Sequence, residues 1–393
     1  MIIKKNILKD LNFKFFEKKI ISNNNRFQIN DRDKRELKNL FLNKNILVTG
    51  APGSIGQEFC LGLIKFKCKR IFLLDKNEND LTSLNRLIIK KTKNKNIDYI
   101  CADINTLDID NFLRENKINI YLNFAAIKHV RSQENINSIK YMFSTNYDNF
   151  YKMRYKSRYL KKIFSISTDK AAEPTSLMGI SKLMMEYKLK KIMQKNNNIS
   201  VCSARFANVS FSRGSILEHA LDCIKKKISF GIPSNIKRYF ITHEEAVSIC
   251  FQALLKKNNN SIIIPNKRIL GDQISIKEII TNILKIYRYK FVFIKKFKRN
   301  YSNHKIYYIF LTGNNITGQK IAEKLLSEYE KKYVEKFNSK LDRLPLKNLK
   351  KINLSNYKKI KKSKKILKFQ SLISKVVDGY IYKSKQIKVS QII

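Results

Sequence analysis

Asn45-Ile-Leu-Val-Thr-Gly-Ala-Pro-Gly-Ser-Ile-Gly56 is the stretch that decides the fold of this chain. It combines an apolar strand, a glycine-rich turn and the start of a helix. Its three glycines follow the spacing G-x-x-G-x-x-G, and their missing Cβ atoms let backbone N–H groups approach a pyrophosphate at the helix N-terminus. The turn therefore predicts a dinucleotide site, whose residues here are Gly50, Gly53, Ser54, Ile55 and Gly56.

The apolar runs that follow predict further strands of the same site. The run at 71–75 ends in Asp75, whose carboxylate can accept hydrogen bonds from both ribose hydroxyls and would repel a 2′-phosphate. This favours NAD over NADP, although Lys76 beside it softens the preference. A third predicted strand, 99–104, ends at Asp103 and Ile104, which would meet the adenine.

A fourth predicted strand, 121–126, ends in Ala125 and Ala126, which are small enough to leave room for a cofactor. Strand-like runs alternate with helix-like segments from residue 44 to about 210. This alternation predicts an α/β fold, with a Rossmann-type doubly wound parallel sheet and a smaller C-terminal substrate-binding region.

The predicted organisation has four parts. They are an N-terminal arm or linker (1–43), an NAD-binding Rossmann domain (44–210), a substrate-binding region (211–330) and a basic C-terminal tail (331–393). Seven lysines between Tyr357 and Lys368 predict that this part of the tail is a solvated helix or disordered.

The charge balance is strongly basic. The 393 residues include 80 Lys and Arg against 31 Asp and Glu, a net charge of +49. The excess is spread along the chain together with abundant Asn and Ile, which share A- and T-rich codons with Lys, so we attribute much of it to compositional bias. Specific nucleic-acid binding is not expected, and an anionic diphosphate substrate or loose association with an acidic membrane surface fits better.

The cysteine pattern and the hydropathy of the chain indicate its cellular compartment. The six cysteines lack paired metal spacing and mostly lie in apolar patterns, which predicts reduced, buried thiols, no metal site and a cytoplasmic protein. No run of 18 apolar residues and no signal-peptide core occur, so we expect no membrane span. We expect a homo-oligomer.

The residues 165–182, Ser-Ile-Ser-Thr-Asp-Lys-Ala-Ala-Glu-Pro-Thr-Ser-Leu-Met-Gly-Ile-Ser-Lys, are the candidate catalytic stretch. An apolar strand leads into Thr168, Asp169 and Lys170. A hydroxyl, a carboxylate and an amine at the carboxyl end of a parallel strand lie where such sheets bind their ligands. A polar turn with a helix cap is the simpler interpretation of these residues taken alone.

A helix is predicted to follow, capped near Thr175 or Ser176. Met178 and Lys182 lie four residues apart on one face of it. Short-chain dehydrogenases have Tyr-x-x-x-Lys at this spacing. The methionine thioether cannot exchange a proton, so either the chemistry is lost or another group performs it.

With these motifs the chain resembles the nucleotide-sugar dehydratases of the extended short-chain dehydrogenase group, and most of all the UDP-N-acetylglucosamine 4,6-dehydratases of capsule and surface-polysaccharide synthesis. The resemblance covers residues from about 40 to 255. It also extends to a branch of larger enzymes that have Met in place of Tyr and usually carry an N-terminal membrane region. The matching stretches are TGAPGSIG at 49–56, AAIKHV at 125–130, STDKAAEPTSLMGISK at 167–182, RFANVSFSRGS at 205–215 and KRYFITHEEAV at 237–247.

The resemblance implies an NAD-dependent reaction in which a sugar is oxidised at its fourth carbon, loses water across the fifth and sixth carbons, and is reduced at the sixth. It implies that Lys170 takes the proton from the fifth carbon and that Asp169 protonates the departing hydroxyl. It also implies that Thr168 hydrogen-bonds near the fourth oxygen and that Lys182 holds the nicotinamide ribose. With Met178 in the tyrosine position, the proton of the fourth hydroxyl needs another route, through Asp169 or an ordered water.

The same resemblance implies substrate-binding roles for Lys128, Asn208, Arg213 and Arg238, the two arginines on the diphosphate. The chain departs from the family pattern at Asn123, Ile127 and Ala207. It departs further in the loop 313–320, which lacks the family's Arg and Glu and puts the exact nucleotide sugar in doubt.

Other functions stay open at this point. An epimerase or reductase of the same fold is one, although such an enzyme would lack the Asp-Lys pair found here at 169–170, and typical members keep the tyrosine. A non-catalytic nucleotide-binding partner in polysaccharide assembly is another, although a dead site has no physical need for buried charge. A basic nucleic-acid binder is the most remote, because no recognition module occurs.

Overall fold

In the computed structural model, the described residues are 12–22, 24–93, 96–128, 135–295, 306–312, 323–355 and 357–376. The loop 313–320 lies outside them, as do His129 and Val130 of the AAIKHV motif. The described part of the chain contains sixteen strands: β1 (Asn45–Thr49), β2 (Arg70–Asp75), β3 (Ile97–Cys101), β4 (Ile120–Asn123), β5 (Lys162–Ile166), β6 (Ser200–Ala204), β7 (Asn208–Val209), β8 (Phe230–Pro233), β9 (Lys237–Arg238), β10 (Phe240–Ile241), β11 (Ser261–Pro265), β12 (Ile274–Ser275), β13 (Lys290–Ile294), β14 (Ile306–Thr312), β15 (Glu335–Lys336) and β16 (Leu341–Pro345).

Helices connect most of these strands. The α-helices of the described residues are Phe13–Phe16, Asp31–Phe41, Ser54–Leu63, Glu78–Ile89, Ile109–Glu115, Ile136–Phe143, Asn149–Lys152, Leu177–Lys195, Ile216–Lys226, His243–Ala253, Lys267–Leu270, Ile276–Ile286, Glu328–Lys331, Tyr357–Lys361 and Ile366–Ser374. Two π-helical turns, Glu17–Ile21 and Ser144–Asp148, and three 3₁₀ turns, Asp169–Ala171, Lys256–Asn258 and Leu346–Asn348, complete them. Within the described ranges, no helix combines the length and apolar character needed to cross a membrane.

The main sheet has the order β15-β16-β11-β6-β5-β4-β1-β2-β3. The strands from β11 to β3 are parallel to their neighbours, and β16 and β15 add an antiparallel pair at one edge. Its inner strands β1, β4 and β5 are almost entirely buried on both faces, as is typical of parallel sheets that helices cover on both sides. The predicted Rossmann-type parallel sheet is thus confirmed.

The position of β1 decides where a ligand can bind. β1 pairs with β2 on one side and with β4 on the other, so the strand order reverses there. A crevice opens beyond the carboxyl ends of the strands at such a reversal. Two predicted strands are shorter than expected, since β3 ends at Cys101 and β4 ends at Asn123. The predicted cofactor residues after them therefore lie in turns at the crevice.

The region after residue 210 forms smaller sheets and also joins the main one. A second apolar core lies around Ile232, Ile280 and Ile309, where the sheet β13-β14-β8 packs on two helices. However, β11 and β16 extend the main sheet, which therefore continues past the predicted boundaries at 210 and 330. The division into four parts stays a prediction.

The C-terminal region differs from its prediction. Leu341 and Leu344 of β16 are fully buried, and so are Ile360 and Ile373 in the last two helices. The aromatic ring of Phe369 packs edge-on against Phe143 at 5.2 Å between ring centroids. The segment 357–368, predicted to be a solvated helix or disordered, is largely helical, but it is not wholly solvated, because Tyr357 and Ile360 are buried against the Rossmann core.

Candidate active site

Glycines at the turn after β1 are required by close packing. Gly50 has φ of +70°, and a Cβ there would overlap the backbone of Phe124 and Ala125 after β4. A Cβ on Gly56 would overlap the carbonyl of Gly50. Gly53 is the N-cap of the helix Ser54–Leu63, and a Cβ on it would lie 3.1 Å from the Gly50 carbonyl oxygen. The turn thus holds β1, β4 and the helix N-terminus together at the crevice.

The acidic residues after β2 and β3 lie beside this turn. Asp75 is half-buried, and burial raises the pKa of its carboxyl group. Asp103 accepts hydrogen bonds from the Asn105 side chain at 2.9 Å and from the Tyr141 hydroxyl at 2.9 Å. Lys76 lies 4.6 Å from the centre of the Tyr141 ring. The structure therefore gathers Asp75, Lys76 and Asp103 at one end of the crevice, with Ile104 buried next to them.

Arg213 contacts the first residue of the helix that follows the glycine turn. Its N–H donates to the Ser54 hydroxyl at 2.8 Å, and its guanidinium pairs with Asp80 at 2.6 Å. This places Arg213, predicted to contact a substrate diphosphate, against the glycine turn. The ion pair is largely exposed, so it contributes little to stability.

The loop after β4 is held by Asn146, which lies in the π-helical turn Ser144–Asp148. Its carboxamide accepts from the N–H of Ile127 at 2.9 Å and donates to the carbonyl of Ile127 at 3.0 Å and to the Ser181 hydroxyl at 2.9 Å. These three bonds attach the loop containing Ala125 and Ala126 to the long helix Leu177–Lys195. Asn146 was not among the predicted site residues, since its role depends on contacts that no local spacing reveals.

The turn after β5 presents the predicted reactive groups. Thr168 donates its hydroxyl to Asp169 Oδ1 at 2.8 Å, and Lys170 Nζ lies 3.1 Å from the same oxygen. Asp169 is only 1% exposed, and its Oδ2 has no hydrogen-bond partner among the described residues. An unsatisfied buried carboxylate oxygen is uncommon and points to a site that a ligand completes.

Lys170 lies between two carboxylates. Its ammonium group is 3.1 Å from Asp169 and 3.6 Å from Glu323, while Arg238 Nη2 lies 3.9 Å from the same Glu323 oxygen. Burial works to lower the pKa of Lys170, but the charges of Asp169 and Glu323 outweigh it and raise the pKa. Lys170 therefore rests as an ammonium ion.

The long helix after this turn is positioned by its first residues. Ser176 caps it, accepting a hydrogen bond from the N–H of Gly179 at 3.1 Å, which confirms one of the two predicted caps. Gly179 also touches the turn, since a Cβ on it would overlap the Lys170 carbonyl. The absence of a side chain at Gly179 thus lets the helix approach Lys170 closely.

Met178 and Lys182 lie on successive turns of that helix, but in different surroundings. Met178 is 3% exposed and belongs to an apolar cluster with Met142, Phe143 and Ile180. Lys182 donates to the carbonyl of Ile166 at 3.0 Å, and burial lowers the pKa of its amine to about 8. An ammonium buried at the end of β5 can hold a ribose hydroxyl or add positive potential there.

A buried ion network lies directly behind the reactive turn. The Arg205 guanidinium donates to both carboxylate oxygens of Glu186, at 3.0 and 2.6 Å, and to both of Glu330, at 2.9 and 3.0 Å. Glu186 also accepts from the Ser167 hydroxyl at 2.5 Å. The network connects the residue before Thr168 to the segment that follows Glu323.

Two further predicted substrate residues are Lys128 and Asn208. Lys128 is exposed and donates to the Ser212 hydroxyl at 3.1 Å. Asn208 in β7 donates its backbone N–H to the carbonyl of Tyr239, the residue after Arg238, at 3.2 Å. No three His, Cys, Asp or Glu side chains of the described residues group in a way that could hold a metal ion.

Glu323 is the main residue that the sequence analysis missed. It lies far from Lys170 along the chain, in a charged segment with no distinguishing pattern. Its burial next to Lys170 and Arg238 depends on tertiary contacts of the segment 323–330, which Arg205 holds through Leu325 and Glu330.

Known proteins resemble this chain in sequence and in fold. A family model described as "Polysaccharide biosynthesis protein" matches residues 46–343. The capsular polysaccharide biosynthesis protein CapD of Staphylococcus aureus is 30% identical over 301 residues, which are 72% of this chain and 47% of CapD. The chain thus spans about half the length of that relative.

A second curated relative and two solved structures extend the comparison. The UDP-N-acetylglucosamine 4,6-dehydratase (inverting) of Campylobacter jejuni is 26% identical over 58% of this chain and 68% of its own length. The structure of Pen from Bacillus thuringiensis superposes with a TM-score of 0.64 at 20% identity, over 78% of this chain and 87% of Pen. The UDP-glucuronic acid 4-epimerase of Bacillus cereus, in complex with UDP-glucuronic acid and NAD, superposes with a TM-score of 0.53 at 21% identity, over 71% and 89%.

Proposed function

The chain belongs to the polysaccharide biosynthesis protein family, and from this premise we propose that it is an NAD-dependent 4,6-dehydratase acting on a UDP-N-acetylhexosamine, with UDP-N-acetylglucosamine as the first substrate to test. Its product would be the 4-keto-6-deoxy sugar used in surface polysaccharide synthesis. One observation carries the proposal: Lys170 Nζ lies 3.1 Å from Asp169 Oδ1, while Asp169 Oδ2 has no partner among the described residues.

The residues around the glycine turn fit NAD. Cβ atoms are excluded at Gly50 and Gly56, and the helix N-terminus at Ser54 faces the crevice with its unpaired N–H groups and positive dipole end. Asp75 at the end of β2 is placed for ribose hydroxyls. When bound, NAD would supply hydride acceptor and donor chemistry. Lys182 would hold the nicotinamide ribose.

The Asp169–Lys170 pair can supply an acid and a base together. In the resting ion pair, Lys170 is protonated and Asp169 is ionised, which is the wrong state for both proposed roles. Moving one proton across 3.1 Å makes a neutral amine and a carboxylic acid. A dry, low-dielectric site favours the neutral pair over the ion pair, so a bound substrate that excludes water would promote this transfer.

In this arrangement Lys170 takes the proton from the fifth carbon and Asp169 protonates the hydroxyl that leaves the sixth. Thr168, already bonded to Asp169, is placed to contact the fourth oxygen. Arg238 and Lys128 supply positive charge toward the diphosphate, and Asn208 supplies an amide for the N-acetyl group. Met178 takes no part in proton transfer.

A second candidate is a 4-epimerase, because an epimerase with bound UDP-glucuronic acid and NAD shares the fold. Epimerisation requires no elimination and therefore does not need an acid and a base adjacent to each other. The experiment that separates the two is incubation with UDP-N-acetylglucosamine followed by mass spectrometry. A dehydratase removes the mass of one water from the nucleotide sugar, whereas an epimerase leaves the mass unchanged.

We further propose that the protein works in the cytoplasm as a homo-oligomer whose small-molecule partner is a UDP-sugar. All six cysteines are free thiols and five of them are buried, which suits a reducing compartment. Light scattering on the purified protein measures the oligomeric state, and a monomer at micromolar concentration would contradict the second part of this proposal.

A further inference from the structure

We propose that Glu323 is a positioning residue for Lys170, holding its ammonium group against Asp169 and setting its charge state. The inference concerns Lys170 itself, and only its consequence for turnover rests on the proposed function. It starts from the place of Glu323, which is 5% exposed with Oε1 at 3.6 Å from Lys170 Nζ and 3.9 Å from Arg238 Nη2.

The segment that carries Glu323 is anchored on both sides of the reactive turn. Arg205 donates to the carbonyl of Leu325 at 3.1 Å and to the carboxylate of Glu330. The Arg205 bonds are buried and fix the backbone near Glu323, so the fold directs its carboxylate at Lys170. The pair of Lys324 with Glu173, at 3.2 Å, is exposed and contributes little to this placement.

The charges around Lys170 form a balanced group of four. Lys170 and Arg238 are the cations, and Asp169 and Glu323 are the anions. Among the described residues, the charged groups that act on the Lys170 amine are Asp169, Glu323 and Arg238. With Glu323 present, each cation lies near a carboxylate. Without it, the carboxylate that stays next to the Lys170 ammonium group is Asp169, at 3.1 Å. Lys170 could then lose its proton more readily, because Arg238 repels the ammonium form.

The test measures the protonation of Lys170 directly. The purified full chain is labelled with acetic anhydride across a range of pH, and peptide mass spectrometry follows Lys170, whose side chain is 25% exposed and therefore accessible. The variant Glu323→Gln removes the charge at nearly constant shape. We expect the pH at which Lys170 is half-labelled to fall in this variant. At a pH where Lys170 of the wild type is mostly protonated, Lys170 of the variant should be labelled about tenfold faster.

Two further variants make the test specific. Lys324→Gln alters the adjacent residue of the same segment and breaks the Lys324–Glu173 pair, and it should leave the labelling profile of Lys170 within about twofold of wild type. Glu323→Asp keeps the negative charge but moves it away from Lys170 by one methylene group. It should therefore shift the labelling profile of Lys170 in the same direction as Glu323→Gln does, but by less. If Glu323→Gln does not fold, Glu323→Asp decides the question.

Unchanged half-labelling pH in the Glu323 variants, or an equal shift in Lys324→Gln, would overturn the proposal. The pH dependence of turnover is a second, independent measurement. If Lys170 is the base, the acidic limb of the pH–rate profile should move to lower pH in Glu323→Gln. A shifted labelling profile in a protein that removes no water from UDP-N-acetylglucosamine would uphold this inference and reject the proposed function.

Discussion

Two groups of buried charges meet at the turn after β5, and they differ in how completely their polar atoms are paired. In the ion network of Glu186, Arg205 and Glu330, the guanidinium bonds both oxygens of each carboxylate. In the reactive group of Asp169, Lys170, Arg238 and Glu323, the contacts to the second carboxylate are longer, at 3.6 and 3.9 Å, and one oxygen of Asp169 has no partner among the described residues.

This difference distinguishes charges that stabilise the fold from charges that can take part in a reaction. A fully paired buried network fixes the geometry of the chain around it, and nothing remains to bind a ligand. A buried carboxylate oxygen without a partner among the described residues, such as Oδ2 of Asp169, offers hydrogen-bonding capacity to a substrate. Burial of charge alone would have selected Arg205, which is fully buried, ahead of Lys170. The degree of pairing is therefore the better guide to the reactive residues.

The largest effect that this comparison predicts is on turnover. Lys170→Met should reduce water elimination by about 10²–10⁴-fold, the usual contribution of a general base, and should abolish exchange of the fifth-carbon proton with deuterated solvent. Urea unfolding should also show a loss of stability, because Asp169 and Glu323 stay buried after this cation is removed, so turnover is compared at a temperature where both proteins are folded. The measurement is turnover with UDP-N-acetylglucosamine and proton exchange by NMR. Lys324→Met is the control, as it removes a neighbouring amine outside the reactive group.

Breaking the ion network should instead affect stability. Arg205→Met would leave Glu186 and Glu330 buried together without their cation, so the free energy of unfolding should fall by about 3–5 kcal/mol. Arg70→Met breaks an exposed pair with Asp98 and should cost no more than about 1 kcal/mol. Equal losses in the two variants, measured by urea denaturation, would show that the network does not stabilise the fold as argued.

Lys182 allows a test of how a buried ammonium group changes the free energy of unfolding with pH. Its pKa is about 8 in the folded protein and higher in the unfolded chain, so between these values the unfolded chain binds more protons. Stability should therefore rise with pH above 8, by up to about 3 kcal/mol from this residue. Lys182→Met should lack that rise. Unfolding by urea at pH 7 and pH 10, compared between wild type and variant, isolates the contribution from other titrating groups.

The smallest effect is expected at Met178. Met178→Leu keeps the volume and apolar character of a residue inside an apolar cluster, so it should cost less than about 1.5 kcal/mol of stability. Turnover should stay within a few-fold of wild type. Loss of turnover in Met178→Leu combined with near-normal turnover in Lys170→Met would place the reactive groups elsewhere.

Local spacing determined much of the fold and part of the candidate site. The glycine turn with the strands after it predicted the Rossmann-type sheet, because strand periodicity and the need for glycine are properties of short stretches. Asp169 and Lys170 could be singled out because they are adjacent in the chain at a strand end. The cap at Ser176 was found for the same reason.

Only the tertiary structure brought Glu323 to Lys170, Arg205 to Glu330 and Arg213 to the glycine turn. These contacts join residues that are distant in the chain, and which of many similar charges meet is decided by strand order and packing. The basic tail shows the same limit: the lysines of 357–368 suggested a solvated helix or disorder, but the structure buries Tyr357 and Ile360 of this segment. Composition reports how polar a segment is on average, whereas folding depends on whether its few apolar residues share a face that the rest of the protein can cover.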